Sequence, residues 1–302
     1  MDQSRQILLM GSCFAEEIGA KLVADAFPCE VNPFGVLYNP LSIVQGLQCL
    51  RENGEFPAEE LFQHGGLWHS WMHHSSFSAE DPQVCLEKIN GRLNVARGAV
   101  PHLSLLLITL GSNRYYRLRQ TGEVVGNCHK VPSREFEEVD LSVTEIVEAL
   151  DMELSEWWSV NPTLKVMFTV SPIRYLKYGL HQSMVGKATL LTAVDVLQKK
   201  FPDRVLYFPA FEILLDDLRD YRFYAPDMVH PSSVAVDYIY ERFQEAYFSP
   251  TAHEIASRWN EIQKALNHKP FHPDSEEYKR FRQKTQEKIL QLEKDFPFLK
   301  LK

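Results

Sequence analysis

Ser12 follows a short apolar run, Ile7-Leu8-Leu9-Met10, and a single glycine. After it Phe14, Ile18 and Leu22 recur at a spacing of four, with Glu16 and Glu17 in what would be the first helical turn. This order predicts a buried strand, a tight turn and a helix, with a hydroxyl at the handover. Backbone N–H groups at a helix start are unpaired and favour negative charge. A serine there can attack an acyl carbon while its own N–H stabilises the oxyanion. The same residue type is also the ordinary helix N-cap. Cys13 stands beside it as a rival nucleophile, but no histidine is adjacent, and a free cysteine on a first turn usually packs as a small hydrophobe. Near the other end of the chain the run Asp227-Met228-Val229-His230-Pro231 places a carboxylate three residues before a histidine. One tight turn would let Asp227 orient the His230 imidazole as a general base, giving a nucleophile, a base and an orienter. Read without Ser12, the same run is a surface turn ahead of a helix. No GxSxG occurs, which argues against an α/β-hydrolase elbow.

A second group of residues is dense but less specific. His64, Trp68, His69, Trp71, His73 and His74 crowd into one short stretch. His69 and His73, four apart, could ligate zinc, yet no HExxH or neighbouring Cys or carboxylate supports a metal. The expectation is a substrate-facing lid or core packing, with Trp68, His69 and His73 as substrate-binding candidates and no metal. Arg174 and His181 are further candidates for the mouth of a crevice; Arg174 would suit an anionic or polar group, or form an ordinary surface ion pair.

The elements needed to position these residues are legible in part. Leu103–Leu110 and Leu164–Val170 read as buried strands, and Val205–Phe208 as another. Helical patterns lie near Leu141–Trp158 and Met184–Lys199. Strands alternating with helices argue for a doubly wound parallel sheet. The last core helix is expected to start at Pro231, with Ala235, Ile239 and Phe243 on one face. Residues 1–250 then form one catalytic domain, with 51–80 a loop-rich aromatic insertion. Residues 251–302 read as a C-terminal extension of charged helices broken at 267–273.

The 302 residues carry a formal net charge of −8, are 45% hydrophobic and 24% charged, and have a mean hydropathy of −0.25. This is an ordinary globular composition. Dispersed basic residues under a negative balance disfavour nucleic acid as a partner. No apolar stretch is long enough to span a membrane. The five cysteines, odd in number and without CxxC, fit reduced thiols and a cytoplasmic setting.

Gly11-Ser12-Cys13-Phe14-Ala15 resembles the name-giving motif of the GSCFA family, within the SGNH/GDSL hydrolase superfamily. Asn32–Pro40, Asn127–Lys130, Thr169–Pro172 and Tyr221–Pro231 are similar to it as well. The resemblance covers about residues 5–245. It implies a flavodoxin-like three-layer α/β/α fold and ester hydrolysis or acyl transfer. It also implies an oxyanion hole made by the nucleophile N–H, a glycine N–H and an asparagine amide. Gly35 would be the glycine and Asn113, in Gly111-Ser112-Asn113, the asparagine, with Asn127 as the alternative. Together these readings predict a cofactor-independent serine esterase that acts through Ser12 on a small acyl group carried by a carbohydrate or similar alcohol. An acyltransferase with the same triad and a non-catalytic binding protein are the alternatives.

Overall fold

The computed structural model describes residues 1–52, 54–299 and 301, so residues 53, 300 and 302, inside the two segments singled out above, lie outside the described residues. The chain opens with strand β1 (Gln6–Gly11), helix α1 (Cys13–Ala24), strand β2 (Cys29–Val31) and helix α2 (Pro40–Arg51). A hairpin of β3 (Leu61–His64) and β4 (Leu67–Ser70) leads to α3 (Pro82–Ala99) and β5 (Leu103–Leu110). Next come β6 (Arg114–Leu118), β7 (Val124–Val125), β8 (Phe136–Asp140) and α4 (Val143–Val160). The core closes with β9 (Lys165–Val170), α5 (Gly179–Lys200), β10 (Val205–Tyr207), the short α6 (Ala210–Glu212) and α7 (Ser233–Tyr247). Helices α8 (Pro250–Leu266) and α9 (Glu276–Asp295) follow.

Five parallel strands pair in the order β10-β9-β5-β1-β2. Ranked along the chain and read from the β2 end, this is the second, first, third, fourth and fifth strand of the sheet, the flavodoxin-like order. Because side chains alternate across a strand, β1 and β5 feed two cores. Leu8, Met10, Leu106, Ile108 and Leu110 face Ile43 and Leu47 of α2, Ile146 and Leu150 of α4, and Leu190 and Val194 of α5. Ile7, Leu9, Leu105 and Leu107 face Phe14, Ile18 and Leu22 of α1 and Ile239 and Phe243 of α7. The continuous apolar run of each strand thus has its physical cause: both faces are covered, in a three-layer α/β/α arrangement.

Two expectations are corrected. Helix α7 does not start at Pro231. Ser232 is its N-cap, its hydroxyl accepting the Ala235 N–H, while Pro231 pairs with Tyr224 in an isolated bridge that belongs to the preceding loop. Residues 51–80 are not merely loop, because Leu61–Ser70 folds into the β3–β4 hairpin. Helices α8 and α9 share a small core of Ile255, Trp259, Ile262, Leu292 and Leu299. Among the described residues no helix is long and apolar enough to cross a membrane.

Candidate active site

Strands β1 and β5 are adjacent, but the helices that follow them cover opposite faces. This is the switch point of a doubly wound sheet, where a crevice opens beyond the carboxyl ends of the strands. The turn after β1 lies there. Gly11 has φ of +144°, and a Cβ on it would stand 2.2 Å from the Thr109 carbonyl oxygen, so only glycine fits. Its N–H donates to Asn32 Oδ1 at 2.9 Å and its carbonyl accepts the Leu37 N–H at 2.9 Å. Asn32, itself at φ +44°, thereby ties the loop after β2 to the turn after β1.

Ser12 is extended (φ −68°, ψ 175°) and is the N-cap of α1, with Oγ accepting the Phe14 N–H at 3.3 Å. It is fully buried, and its N–H donates to the Thr109 carbonyl at 3.3 Å. Cys13 begins the helix and is partly exposed. Burial raises its thiol pKa, opposed by its own backbone N–H and reinforced by Glu16, so the group is a neutral thiol at neutral pH.

The Asp227–His230 pair forms as the spacing predicts. Asp227 Oδ1 accepts the N–H groups of Val229 (2.9 Å) and His230 (3.0 Å), and Oδ2 meets His230 Nδ1 at 2.6 Å. Met228 takes φ of +60° to close the turn. The His230 and Val229 N–H groups, followed by the imidazole, hold the Asp227 carboxyl down at about 2. Both side chains are half exposed, at 49%. Hydrogen bonding of Nδ1 to a carboxylate leaves Nε2 as the atom available to exchange a proton. The loop is anchored beside β9, where the Arg174 N–H donates to the Val229 carbonyl at 3.2 Å. The Arg174 guanidinium stacks on Tyr224, 4.0 Å from the ring centroid.

Ser12 and His230 are not joined: among the described residues no hydrogen bond runs from Ser12 Oγ to the imidazole, and its partner is the Phe14 N–H. The expected oxyanion donors are largely occupied elsewhere. The Gly35 N–H donates to the Asn32 carbonyl at 2.8 Å, and Gly35 (φ +76°) is packed under His74. Asn113 is buried, with Nδ2 donating to the Leu141 carbonyl at 3.1 Å, so it fastens the start of the α4 segment rather than facing the crevice. Asn127, the alternative, is partly exposed; its Oδ1 accepts the His129 N–H at 2.9 Å, and no hydrogen bond engages Nδ2 among the described residues.

The aromatic and histidine cluster is structural where it is buried. His73 lies in a box of Phe34, Phe56 and Phe77, with ring centroids 5.0–5.2 Å away, and its Nδ1 meets Ser70 Oγ at 2.9 Å. Burial drives its pKa down to about 3, so it is neutral. His69 is buried too, held by Ser78 Oγ at 2.6 Å and the His64 carbonyl at 3.1 Å. Neither is placed to face a substrate. Trp68 packs part of its ring on the core. His181 is exposed on the first turn of α5. Among the described residues no group of three or more His, Cys, Asp or Glu side chains converges as a metal site.

Sequence reasoning missed three groups here. His129 of Asn127–Lys130 takes φ of +47°, stacks on His69 with centroids 4.3 Å apart and bonds the Ser70 carbonyl through Nε2 at 2.8 Å, fastening its loop to the hairpin. Lys187, deep in α5, reaches the strand ends, with Nζ 2.7 Å from the Gly111 and Ser171 carbonyls. Burial lowers its pKa to about 7. Tyr175 places a buried hydroxyl without a hydrogen-bond partner over Gly111. Nothing in the spacing marks Lys187 or Tyr175. The positive-φ His129-Lys130 pair gives no pattern either, since neither is a turn-forming residue type.

No curated protein matches the chain. Among solved structures it is similar to a protein presented as a platelet activating factor from Streptococcus pneumonia (11% identity, TM-score 0.41, covering 81% of this chain and 84% of that one). It is also similar to a carbohydrate esterase family 3 protein from Talaromyces cellulolyticus (11%, 0.35, 80% and 95%). A third is the acetyl xylan esterase Est2A from the rumen bacterium Butyrivibrio proteoclasticus (11%, 0.35, 82% and 64%). The profile described as the GSCFA domain protein, C-terminal domain, matches residues 259–302. The GSCFA family profile matches residues 6–243, and the chain belongs to the GSCFA family.

Proposed function

We propose that the protein is an SGNH-type hydrolase that cleaves an ester through an acyl-enzyme formed on Ser12, at the turn after β1. The reading rests on one observation above the others: an oriented imidazole, His230 on Asp227 at 2.6 Å, on a loop fastened to the residues that follow β9, at the carboxyl end of the sheet where the turn after β1 also lies. In this scheme Ser12 is the nucleophile and His230 Nε2 takes its proton. Asp227, held ionised, fixes the tautomer and stabilises the imidazolium. The leaving alcohol takes the proton back, and water activated by His230 releases the acid. These steps draw on side chains alone.

The substrate we favour is a small acyl group on a polar alcohol such as a carbohydrate. Arg174, Tyr221 and Tyr224 border a cavity of about 140 Å³ beside the His230 loop, and aromatic faces with a fixed guanidinium suit a hydroxylated partner. The test is a panel of acetyl, butyryl and longer esters assayed with the wild type, His230→Ala and Asp227→Asn. Turnover of acetyl esters that falls by about 10³-fold or more in both variants supports the reading. Equal turnover in wild type and His230→Ala would overturn it.

A further inference from the structure

We infer that the alcohol part of the substrate carries a carboxylate, received by Arg174 in the cavity beside the His230 loop. The inference rests on the esterase reading above and names its substrate class: an acylated sugar acid or related hydroxy acid. Arg174 is fixed in place and its charge is unspent. Its backbone N–H donates to the Val229 carbonyl at 3.2 Å, and its guanidinium lies on the Tyr224 ring, 4.0 Å from the centroid. The acids around it are engaged elsewhere: Asp220 with Arg222 at 3.0 Å and Asp227 with His230 at 2.6 Å. Among the described residues no carboxylate pairs with Arg174. A planar guanidinium fork matches a carboxylate through two parallel hydrogen bonds.

The walls of the cavity suit such a group. Arg174, Arg219, Asp220, Tyr221 and Tyr224 are among the residues that line it. Two guanidinium groups face one carboxylate, and that carboxylate already holds Arg222, so the lining is locally positive in a chain whose net charge is −8. Arg219 Nε donates to the Asp216 carbonyl at 2.5 Å, which steadies the rim. The Tyr224 hydroxyl is buried and has no hydrogen-bond partner among the described residues, a further donor beside the guanidinium. The volume of about 140 Å³ is well below the roughly 300–1,000 Å³ of a pocket that swallows a whole ligand. It fits a substituent, with the rest of the alcohol left outside against the exposed Tyr221 ring.

The position of the cavity assigns the acid to the alcohol and not to the acyl group. In the esterase reading His230 returns its proton to the leaving oxygen, so the alcohol lies on the imidazole side. The cavity walls are bonded to both flanks of that imidazole. Arg174 holds Val229, the residue before it, and Tyr224 pairs with Pro231, the residue after it, while the Ala225 N–H donates to the His230 carbonyl at 2.8 Å. Arg174 itself follows β9, and β9 is separated from β1 by β5. An acid on the acyl group would have to cross from the β1 side to the β9 side, two strand spacings or about 10 Å. An acid on the leaving alcohol starts on the β9 side.

The experiment compares two pairs of esters, each pair differing by a single charge. The first is the monoacetate of methyl glucuronoside against that of the matching glucuronamide, with the charge on the alcohol. The second is methyl glucoside esterified with succinate against succinamate, with the charge on the acyl group. Values of kcat/KM are measured for the wild type, Arg174→Gln and Arg174→Lys, with thermal unfolding as a check on the fold. The wild type should prefer the glucuronic ester over its amide by about 10- to 100-fold, carried mainly in KM, and show no such preference for succinate. Arg174→Gln should bring the first ratio to about one, and Arg174→Lys, which keeps the charge without the fork, should retain part of it. Loss of packing on Tyr224 lowers both members of a pair alike, so the ratio reads the charge alone. A wild type that cleaves the acetyl esters above yet shows no preference for the acid, or a preference that persists in Arg174→Gln, refutes the inference and leaves the esterase reading standing. A preference for succinate moves the anion to the acyl group and refutes it too. Absence of turnover on every ester would remove the esterase reading as well.

Discussion

Gly11→Ala tests the turn on which the whole site depends. The glycine has φ of +144°, a region L-residues rarely enter, and holding alanine there costs about 1–3 kcal/mol. The added methyl would lie 2.2 Å from the Thr109 carbonyl oxygen and 2.9 Å from its carbonyl carbon. That backbone cannot retreat freely, because Thr109 is in register with Gly11 across β1–β5 and with Thr169 across β5–β9, and its carbonyl holds the Ser12 N–H. Overpacking against such a fixed group costs a further ~1–3 kcal/mol, for a total of roughly 2–6 kcal/mol. Against an ordinary domain stability of about 5–15 kcal/mol, this is a large fraction. Gly91 is the internal control. It sits within α3 with nothing within 4 Å of an added Cβ, so Gly91→Ala should stabilise by about 0.5–1 kcal/mol. Urea unfolding followed by circular dichroism measures both, and turnover of acetyl esters follows the turn itself. Opposite signs at the two glycines are expected. A Gly11→Ala protein within about 0.5 kcal/mol of wild type would mean that the turn yields easily, and the rigid-turn argument would fail.

Acid should unfold the protein through its neutral histidines. His73 is held near 3 against an ordinary 6.5, so as pH falls below about 6.5 the unfolded chain takes up a proton that the folded chain refuses. Stability is then lost at about 1.4 kcal/mol per pH unit, and His73→Phe should flatten that slope between pH 6.5 and 4.5. An unchanged slope would show that the box is open to water. Lys187 works in the same direction at higher pH: held at about 7 rather than 10.5, it makes the wild type lose stability as pH falls from about 10 to 7. Lys187→Met should abolish that dependence, at a cost of roughly 1–3 kcal/mol for two carbonyls left without a donor. Stability curves of equal slope in the two proteins would refute this. Asn113→Ala should cost about 1–3 kcal/mol of stability through Leu141, with a smaller effect on turnover, while Asn127→Ala should lower kcat by about 10²-fold with the fold unchanged. The reverse pattern, read from kcat and melting temperature, would restore Asn113 to the oxyanion hole.

What the sequence reveals follows from how each element is stabilised. β5 is legible to the residue because both faces are buried and its run is continuously apolar. β2, three residues of mixed type, is invisible alone and exists because Ile7, Leu8 and Leu9 pair with it. The sheet of β6, β7 and β8 was missed because Arg114–Leu118 carries its charges outward and pairs outside the central sheet. Asp227–His230 was legible because its geometry is local: a three-residue spacing closes in one turn. The fate of His69 and His73 was not, since burial is decided by Phe34 and Phe56, segments away. Lys187 shows the same limit from the other side. A lysine in a helix reads as solvated surface, and only the carbonyls of two distant strand ends explain why it is inside.

The oxyanion donors show why a one-residue shift matters. At a strand-to-helix junction each step along the chain changes both the direction of the side chain and the partner of the N–H. Ser12 still belongs to the strand by its N–H, which pairs with Thr109, and already belongs to the helix by its hydroxyl, which caps it. Both of its groups are therefore occupied by the fold. Gly35 and Asn113 are occupied in the same way, by Asn32 and Leu141. A substrate oxygen at this crevice must use what the fold has left over, and among the described residues the Tyr175 hydroxyl and the Asn127 amide are such donors.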